Sequence, residues 1–355
     1  MSKKKKVLVC LSGGVDSSVA AALLVKAGYD VTAAFMVNYD EVKDGVSCWH
    51  SDYQDALRVS AHLGIKLLRL NFTADYARDV LAYMYVEYEK GRTPNPDVLC
   101  NKFIKFGSWL KKAEELGFDY IATGHYARLK KQGKRILLQT AKDKNKDQTY
   151  FLHQLNQTQL AQALFPIGDY TKTQVRALAK KYKLATANKE ESMGICFIGE
   201  VSMKDFLKNK IKSAPGKIVD PSGKILGEHG GLPFYTIGQR GVGLGQTGGK
   251  TLFVVEKNLA KNELVVGEDN DPRLYSIQAT VAKINWTSGQ KPKFPLKCQI
   301  RLRHRQDLQS GHVFEIKNQR EIVLLKFNQK QRAVTSGQYA VFYKGGICLG
   351  GGEIQ

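Results

Sequence analysis

An apolar run at residues 7–11 passes directly into Ser12-Gly13-Gly14-Val15-Asp16-Ser17-Ser18, and an apolar-rich run follows at 19–25. That order is strand, glycine loop, helix. Gly13 and Gly14 carry no Cβ, so backbone N–H groups there can close on an anion. Ser12, Ser17 and Ser18 add hydroxyl donors, and the following helix directs its positive N-terminus to the same point. The stretch beginning at Leu11 therefore reads as a phosphate cradle. It is not a Walker A loop, because GxxxxGK[ST] is absent and no lysine follows the second glycine.

The chain around this loop alternates in type. Residues 31–39 and 66–72 read as strands, 53–63 and 75–90 as helices. A helix within 94–116 carries Leu99, Phe103, Phe106 and Leu110 along one stripe, and 118–122 returns as a strand. Such alternation implies an α/β domain with a parallel sheet, helices on both faces and a ligand at the carboxyl ends of the strands. The loop, Met36 and the Thr123-Gly124-His125-Tyr126 turn then share one end of the sheet. Met36 is placed to pack against an adenine ring, and Gly124 to let backbone approach a nucleotide. Helical patterns continue at 148–155 and 172–182. From about residue 214 to 267 short β-type runs divided by Gly, Pro and Asn replace them, and from 276 six apolar or alternating runs suit a small closed barrel. The expected division is a catalytic α/β domain at 1–210, a small mainly β domain at 211–275 and a β-barrel at 276–355.

Charge points to a partner. The 54 Lys plus Arg against 33 Asp plus Glu give a net +21. Residues 276–355 alone hold 13 Lys/Arg against 4 Asp/Glu, a net +9 in 80 residues. A polyanion, nucleic acid, is the expected ligand of that end. No apolar run approaches the ~18 residues of a membrane span, and the lysines at 3–6 lead into a strand rather than a signal-peptide core. A cytoplasmic location and no membrane partner are expected. The six cysteines (10, 48, 100, 196, 298 and 348) show neither CxxC nor Cys/His ligand spacing, which argues against a disulfide framework and a protein-built metal cluster. Asn95 suits an N-cap and Pro96 the first helical position. Cys100 then falls near the first turn, where the helix dipole favours a thiolate. Asp97, three residues earlier on the same face, opposes that ionisation and is more natural as a proton acceptor or substrate contact. Cys196 lies in a short apolar run between Gly194 and Gly199.

The loop resembles the SGGxDS signature of the PP-loop ATP pyrophosphatases, which implies ATP, a pyrophosphate held by residues 11–18, and Mg2+ placed with the help of Asp16. Taken together, LSGGVDSS, GRTPNPDVLCNKFIKFG, ATGHYAR, KDQTYFL, ESMGICFIGE, FYTIGQR, RLRHRQ and SGQYAVFY resemble, in order and across nearly the whole chain, the tRNA-specific 2-thiouridylases (MnmA). The resemblance implies an adenine nucleotide alpha hydrolase-like PP-loop domain, a small central domain and a tRNA-binding barrel. It implies ATP-dependent replacement of oxygen by sulfur at C2 of the wobble uridine, in the anticodon loop of tRNAs for Lys, Glu and Gln. It makes Cys196 the persulfide carrier, Cys100 the catalytic thiol and the two a transient disulfide. The sulfur is then handed over by a cysteine desulfurase or sulfur-relay protein. Met36 and Gly124 become ATP contacts, and Asn95, Pro96 and Asp97 meet the target base. Lys146, Asp147, Gln148, His125, Arg303, His304 and Gln338 match tRNA contacts. Three positions depart from the family pattern: Gly241 stands where a lysine is usual, Met193 replaces a threonine and His304 a tyrosine. A PP-loop synthetase for a small metabolite would explain the loop without either cysteine, and an RNA-binding protein with a vestigial loop would explain only the charge.

Overall fold

The computed structural model describes residues 4–43, 45–190, 203–208, 210–244, 251–317 and 319–355. Strand β1 (Lys6–Cys10) lies in the middle of a five-stranded parallel sheet. It is flanked by β2 (Asp30–Val37) and then Leu67–Asn71 on one side, and by Tyr120–Ala122 and then Ala163–Leu164 on the other. Covered on both faces, β1 is apolar throughout its last four residues, as a parallel central strand requires. Val7 and Val9 pack under α1 (Val15–Lys26) on one face. Leu8 and Cys10 join Ala34 and Met36 on the other, against the helices of residues 73–115.

The second helix of that face runs as Pro96–Leu99, a π-helical segment Cys100–Ser108, and Trp109–Glu115. The expected stripe of Leu99, Phe103, Phe106 and Leu110 fails at one place. Phe103 is 37% exposed while Ile104 is fully buried. Bonding from i to i+5 brings the residue five after Leu99, rather than four after, over the core. A π turn beginning at Cys100 thus re-aims every side chain that comes after it.

A hairpin, Ala127–Gln132 and Arg135–Thr140, was not visible in the sequence pattern. It leaves the parallel sheet and pairs with the last strand of the chain through Gln139 with Ile347 and Leu138 with Cys348. The middle block forms a four-stranded sheet from Gly216–Val219, Ile225–His229, Phe253–Asn258 and Glu263–Gly267. The six β runs beyond residue 275 are the six strands of a closed barrel. It closes because Tyr275–Trp286 pairs with both Gln319–Arg332 and Ile347–Ile354. Ile300, Val313, Leu325 and Phe342 fill its interior. No helix among the described residues is long and apolar enough to cross a membrane.

The barrel and the α/β domain share one apolar cluster, with Leu152 and Leu155 beside Val341 and Cys348, and hydrogen bonds stitch the same seam. The Tyr150 hydroxyl donates to the carbonyls of Leu302 (3.1 Å) and Tyr339 (3.2 Å), and Asn285 Nδ2 donates to His153 O (2.8 Å) and Leu155 O (3.0 Å). His153 itself is fully buried, its Nδ1–H donating to Tyr150 O at 2.6 Å and its ring 4.9 Å from that of Tyr339. Burial lowers its pKa from 6.5 to about 4. The unfolded chain therefore takes up this proton first as pH falls, and the stability present above about pH 6.5 is lost progressively towards pH 4. Urea unfolding at steps between pH 7 and pH 4 should show this residue removing roughly 3 kcal/mol across the window. The slope should flatten in His153→Gln.

Candidate functional site

The phosphate cradle is built where β1 ends. Leu11 is a scaffold residue, wholly buried, with its N–H bonded to Ala34 O at 2.9 Å. Gly13 has φ +77°, and a Cβ there would lie 2.3 Å from the carbonyl oxygen of Asp52, in the first turn of α2 (His50–Leu63). No other residue fits both conditions. Gly14 caps α1 without any side-chain hydrogen bond, so the first N–H groups of the helix remain directed at the cavity. The serine hydroxyls are less available than expected. Ser17 Oγ donates to Gly14 O (3.0 Å) and receives Ser12 N–H (3.2 Å), while Ser18, fully buried, donates to Gly14 O at 2.8 Å. Four residues beyond the cap, the Ser18 hydroxyl reaches back to the cap carbonyl and is not a ligand donor.

Asp16 points the other way, into an arrangement the sequence pattern did not reveal. Lys172 Nζ, 156 positions further along, contacts both carboxylate oxygens at 2.8 Å, and the Tyr126 hydroxyl donates to Oδ1 at 2.9 Å. Lys172 is the first residue of the helix Lys172–Lys181. Only its place after a capping Thr171 hinted that it sits at an element end. Gly124 is bare for the loop itself: a Cβ would lie 2.7 Å from Ser17 N and 2.8 Å from Asp16 C. The glycine lets the strand exit pass across the helix N-terminus.

A cavity of about 460 Å³ runs from this loop to the barrel. Ser12, Gly14, Val15, Asp16, Ser17, Met36 and Gly124 line one part, and Asp97, Asn101, Lys105, His125, Lys146, Gln148, Phe151, His304 and Arg305 the other. The volume is that of a small-molecule or cofactor site. His125 Nδ1 lies 2.7 Å from Thr123 Oγ1, and burial, with Lys105 nearby, holds its pKa well below 6.5. The His304 ring lies 4.5 Å from the Phe151 ring, and burial with Arg305, Arg301 and Lys146 around it lowers its pKa to about 4. Both rings are neutral at pH 7. The tyrosine-to-histidine departure therefore keeps a neutral aromatic face.

Several of the expected contact residues make hydrogen bonds within the frame. Asp147, 2% exposed, accepts from Ala141 N–H (3.0 Å), Thr149 Oγ1 (2.8 Å) and Arg301 Nη1 (3.0 Å). Its carboxylate is spent inside the protein and presents nothing to an external chain. Gln338 Nε2 donates to Thr93 O at 2.8 Å, and Asn95 Nδ2 to Gln338 Oε1 at 3.4 Å. Asn95 is the N-cap, its Oδ1 accepting Val98 N–H at 3.3 Å, with Pro96 buried beside it. Arg303 is exposed and donates to Ala333 O. Cys100 is fully buried in the apolar cluster one turn beyond Asp97. Gly241 has φ +74°, a left-handed turn that suits glycine, with Val242 buried in the central domain. Cys196 and Met193 lie outside the described residues.

Residues 5–200 match the family described as the tRNA methyl transferase HUP domain, residues 204–268 the tRNA methyl transferase PRC-barrel domain and residues 276–354 the aminomethyltransferase beta-barrel domain. The tRNA-specific 2-thiouridylase MnmA of Halalkalibacterium halodurans is 46% identical over 355 residues, covering 99% of this chain and 95% of that one. The chain belongs to the tRNA-specific 2-thiouridylase family. Further thiouridylases, from Vesicomyosocius okutanii (45% identical, 100% and 99% covered) and Alkaliphilus oremlandii (46%, 99% and 97%), extend along its full length in the same way.

In this thiouridylase-family chain Lys172 supplies a cation beside the cradle. Lys172→Met should weaken inorganic pyrophosphate binding roughly 10- to 100-fold by calorimetry, the scale of one lost charge-assisted hydrogen bond. Lys172→Arg should recover most of it.

Proposed function

We propose that the chain is an ATP-dependent tRNA sulfurtransferase that places sulfur at C2 of the wobble uridine in tRNAs for Lys, Glu and Gln. One observation carries this reading: a single cavity joins the phosphate cradle to Asp97, on the turn before Cys100, and to the basic edge of the barrel at His304 and Arg305. The family descriptions speak of methyl transfer and the relatives' names of thiolation. A pyrophosphate cradle opening onto an acidic group beside a buried thiol favours thiolation.

The C2 oxygen of uridine is a poor leaving group. ATP with Mg2+ at Asp16, when bound, would supply the adenylyl group that makes this oxygen leavable and releases pyrophosphate. The chain's own residues do the rest. The loop amides and Lys172 hold the phosphates, and the Asp16 carboxylate is the hard oxygen donor suited to Mg2+. Asp97 accepts a proton at the base, and burial excludes water from the reacting carbon. Cys196 carries the sulfur as a persulfide. Cys100 either attacks that persulfide to release hydrosulfide or resolves it once the sulfur has added to the base. Both routes leave a Cys100–Cys196 disulfide, which needs two electrons from a thiol reductant such as the cytosol supplies. The sulfur comes from a cysteine desulfurase or a sulfur-relay protein. In this reading residues 1–210 do the chemistry, 211–275 form the central domain, and 276–355 hold the RNA backbone by charge.

Purified protein incubated with unmodified tRNA, ATP, Mg2+ and a sulfur source should yield AMP and 2-thiouridine in equal amounts by mass spectrometry. Cys196→Ser should abolish the 2-thiouridine. AMP without 2-thiouridine in the unaltered protein, with a competent sulfur source, would overturn the thiolation reading. The tRNA affinity should also fall by at least tenfold between about 50 and 200 mM salt, and an unchanged affinity would remove the role given to the barrel's charge.

A further inference from the structure

Asn38 comes directly after β2 and lines the cavity. It is 2% exposed, and neither its Oδ1 nor its Nδ2 has a hydrogen-bond partner. The other amides on the cavity are engaged at one end at least. Asn101 Nδ2 donates to Asp97 O (3.0 Å), and Gln148 Oε1 accepts Tyr126 N–H (2.9 Å). Among the described residues, Asn38 is the one buried side chain with two unpartnered polar atoms. A buried amide left with both ends empty is costly, and such a group in a native structure calls for a ligand that completes it.

Its position says which ligand. Cys10, the last residue of β1, pairs with Ala34, so β2 outruns the strand that feeds the cradle. Asn38 lies four residues beyond that pair, roughly 13 Å along an extended chain. Asn38 and the loop residues Ser12, Gly14 and Ser17 line the same cavity, so a ligand held by its phosphates at the loop can extend toward the amide. Met36, two residues earlier and 3% exposed, is on the same face of the strand and gives an apolar surface in between. A carboxamide sets a donor beside an acceptor, the complement of adenine's N6 amino group and its neighbouring ring nitrogen N7. The same edge of guanine presents two acceptors, O6 and N7, and leaves the amide oxygen facing a lone pair.

We infer that Asn38 binds the adenine of ATP through its N6 amino group and N7, and that it makes the site select adenine over guanine. This deepens the proposed function and rests on its assignment of a nucleotide to the cradle. Nucleotide affinity of the unaltered protein and of Asn38→Ala would be measured with ATP, GTP, 7-deaza-ATP and purine riboside triphosphate, which lacks the amino group. The unaltered protein should prefer ATP to GTP and to purine riboside triphosphate by about 10- to 100-fold, as one bidentate pair allows, and 7-deaza-ATP should also bind less well. Asn38→Ala should lose these preferences by binding ATP less well, with purine riboside triphosphate weakened less than ATP because it forfeits only its N7 contact. Its ligand-free melting temperature should be unchanged or higher, since two unpaired buried atoms are removed.

Equal weakening toward all four nucleotides with a lowered melting temperature would make Asn38 a structural residue and overturn the inference. Unaltered nucleotide selectivity with a raised KM for tRNA would assign the amide to the target base and overturn it equally. If the unaltered protein binds none of the nucleotides, the proposed function itself fails. If it binds ATP and Asn38→Ala keeps the same selectivity, only the adenine assignment fails.

Discussion

Glu353, in the last barrel strand and 1% exposed, is the point at which the two ends of the chain are tied together. Arg92 pairs with its Oε1, while the Tyr83 hydroxyl donates to Oε2 at 2.6 Å and Lys283 Nζ approaches Oε2 at 3.0 Å. A second buried carboxylate, Glu87, meets Arg92 Nε at 2.9 Å and Lys90 at 3.2 Å. Removing one partner of a buried ion pair costs about 3–5 kcal/mol, so each carboxylate depends on the cations around it. With three cations and a phenol supplied, the cluster is nearly compensated. It locks the helix Ala82–Glu89 and the residues after it against the barrel.

The lock leads straight into the turn that carries Asp97 and Cys100. Thr93 N–H donates to Ser336 O at 2.9 Å, and Gln338 reaches Thr93 O, so the approach to the Asn95 cap is stitched to the loop before the strand Tyr339–Lys344. A Cβ on Gly337 would lie 2.9 Å from Thr93 N, which is how closely the two backbones pass. The cap sets the start of the helix that carries Asp97 and Cys100. The barrel therefore serves as a basic surface and also as the template that fixes the position of the buried thiol. The seam around Tyr150 and His153 holds the other wall in the same way, because Lys146, Gln148 and Phe151 lie within a few residues of those anchors. Gln338 and Asp147 act within this framework, Gln338 stitching the turn before Asp97 and Asp147 holding Arg301.

The parts of this arrangement set by short-range rules were legible in the sequence. The glycine loop between two apolar runs, the Asn95-Pro96 cap and the six alternating β runs each depend on spacing within about a dozen residues. What escaped was decided at long range or by unusual backbone. The hairpin Ala127–Gln132 and Arg135–Thr140 has a polar, weakly alternating first strand, and its partner lies more than 200 positions away. Lys172 looks like any lysine in a first turn until the fold brings it to Asp16. Phe103 and Ile104 exchanged roles because a π-helical segment carries no periodic signature of its own. Ser18 has the right chemistry for a ligand donor, but its geometry commits it to the helix cap.

The electrostatics of the cavity arise from the same burial. Its two histidines are neutral at pH 7, so its positive charge comes from Lys172 near the cradle and from Lys105, Lys146 and Arg305 elsewhere on its wall. In the proposed function a phosphate backbone at the barrel edge and a triphosphate at the loop are held at once, with neutral rings at His304 and Phe151 offered to a base turned out of its stack. A charged imidazole at His304 would pay for its burial and meet repulsion from Arg305, Arg301 and Lys146. Its neutrality keeps this stretch of wall an aromatic surface, and makes histidine an acceptable occupant of a position where the family usually carries tyrosine.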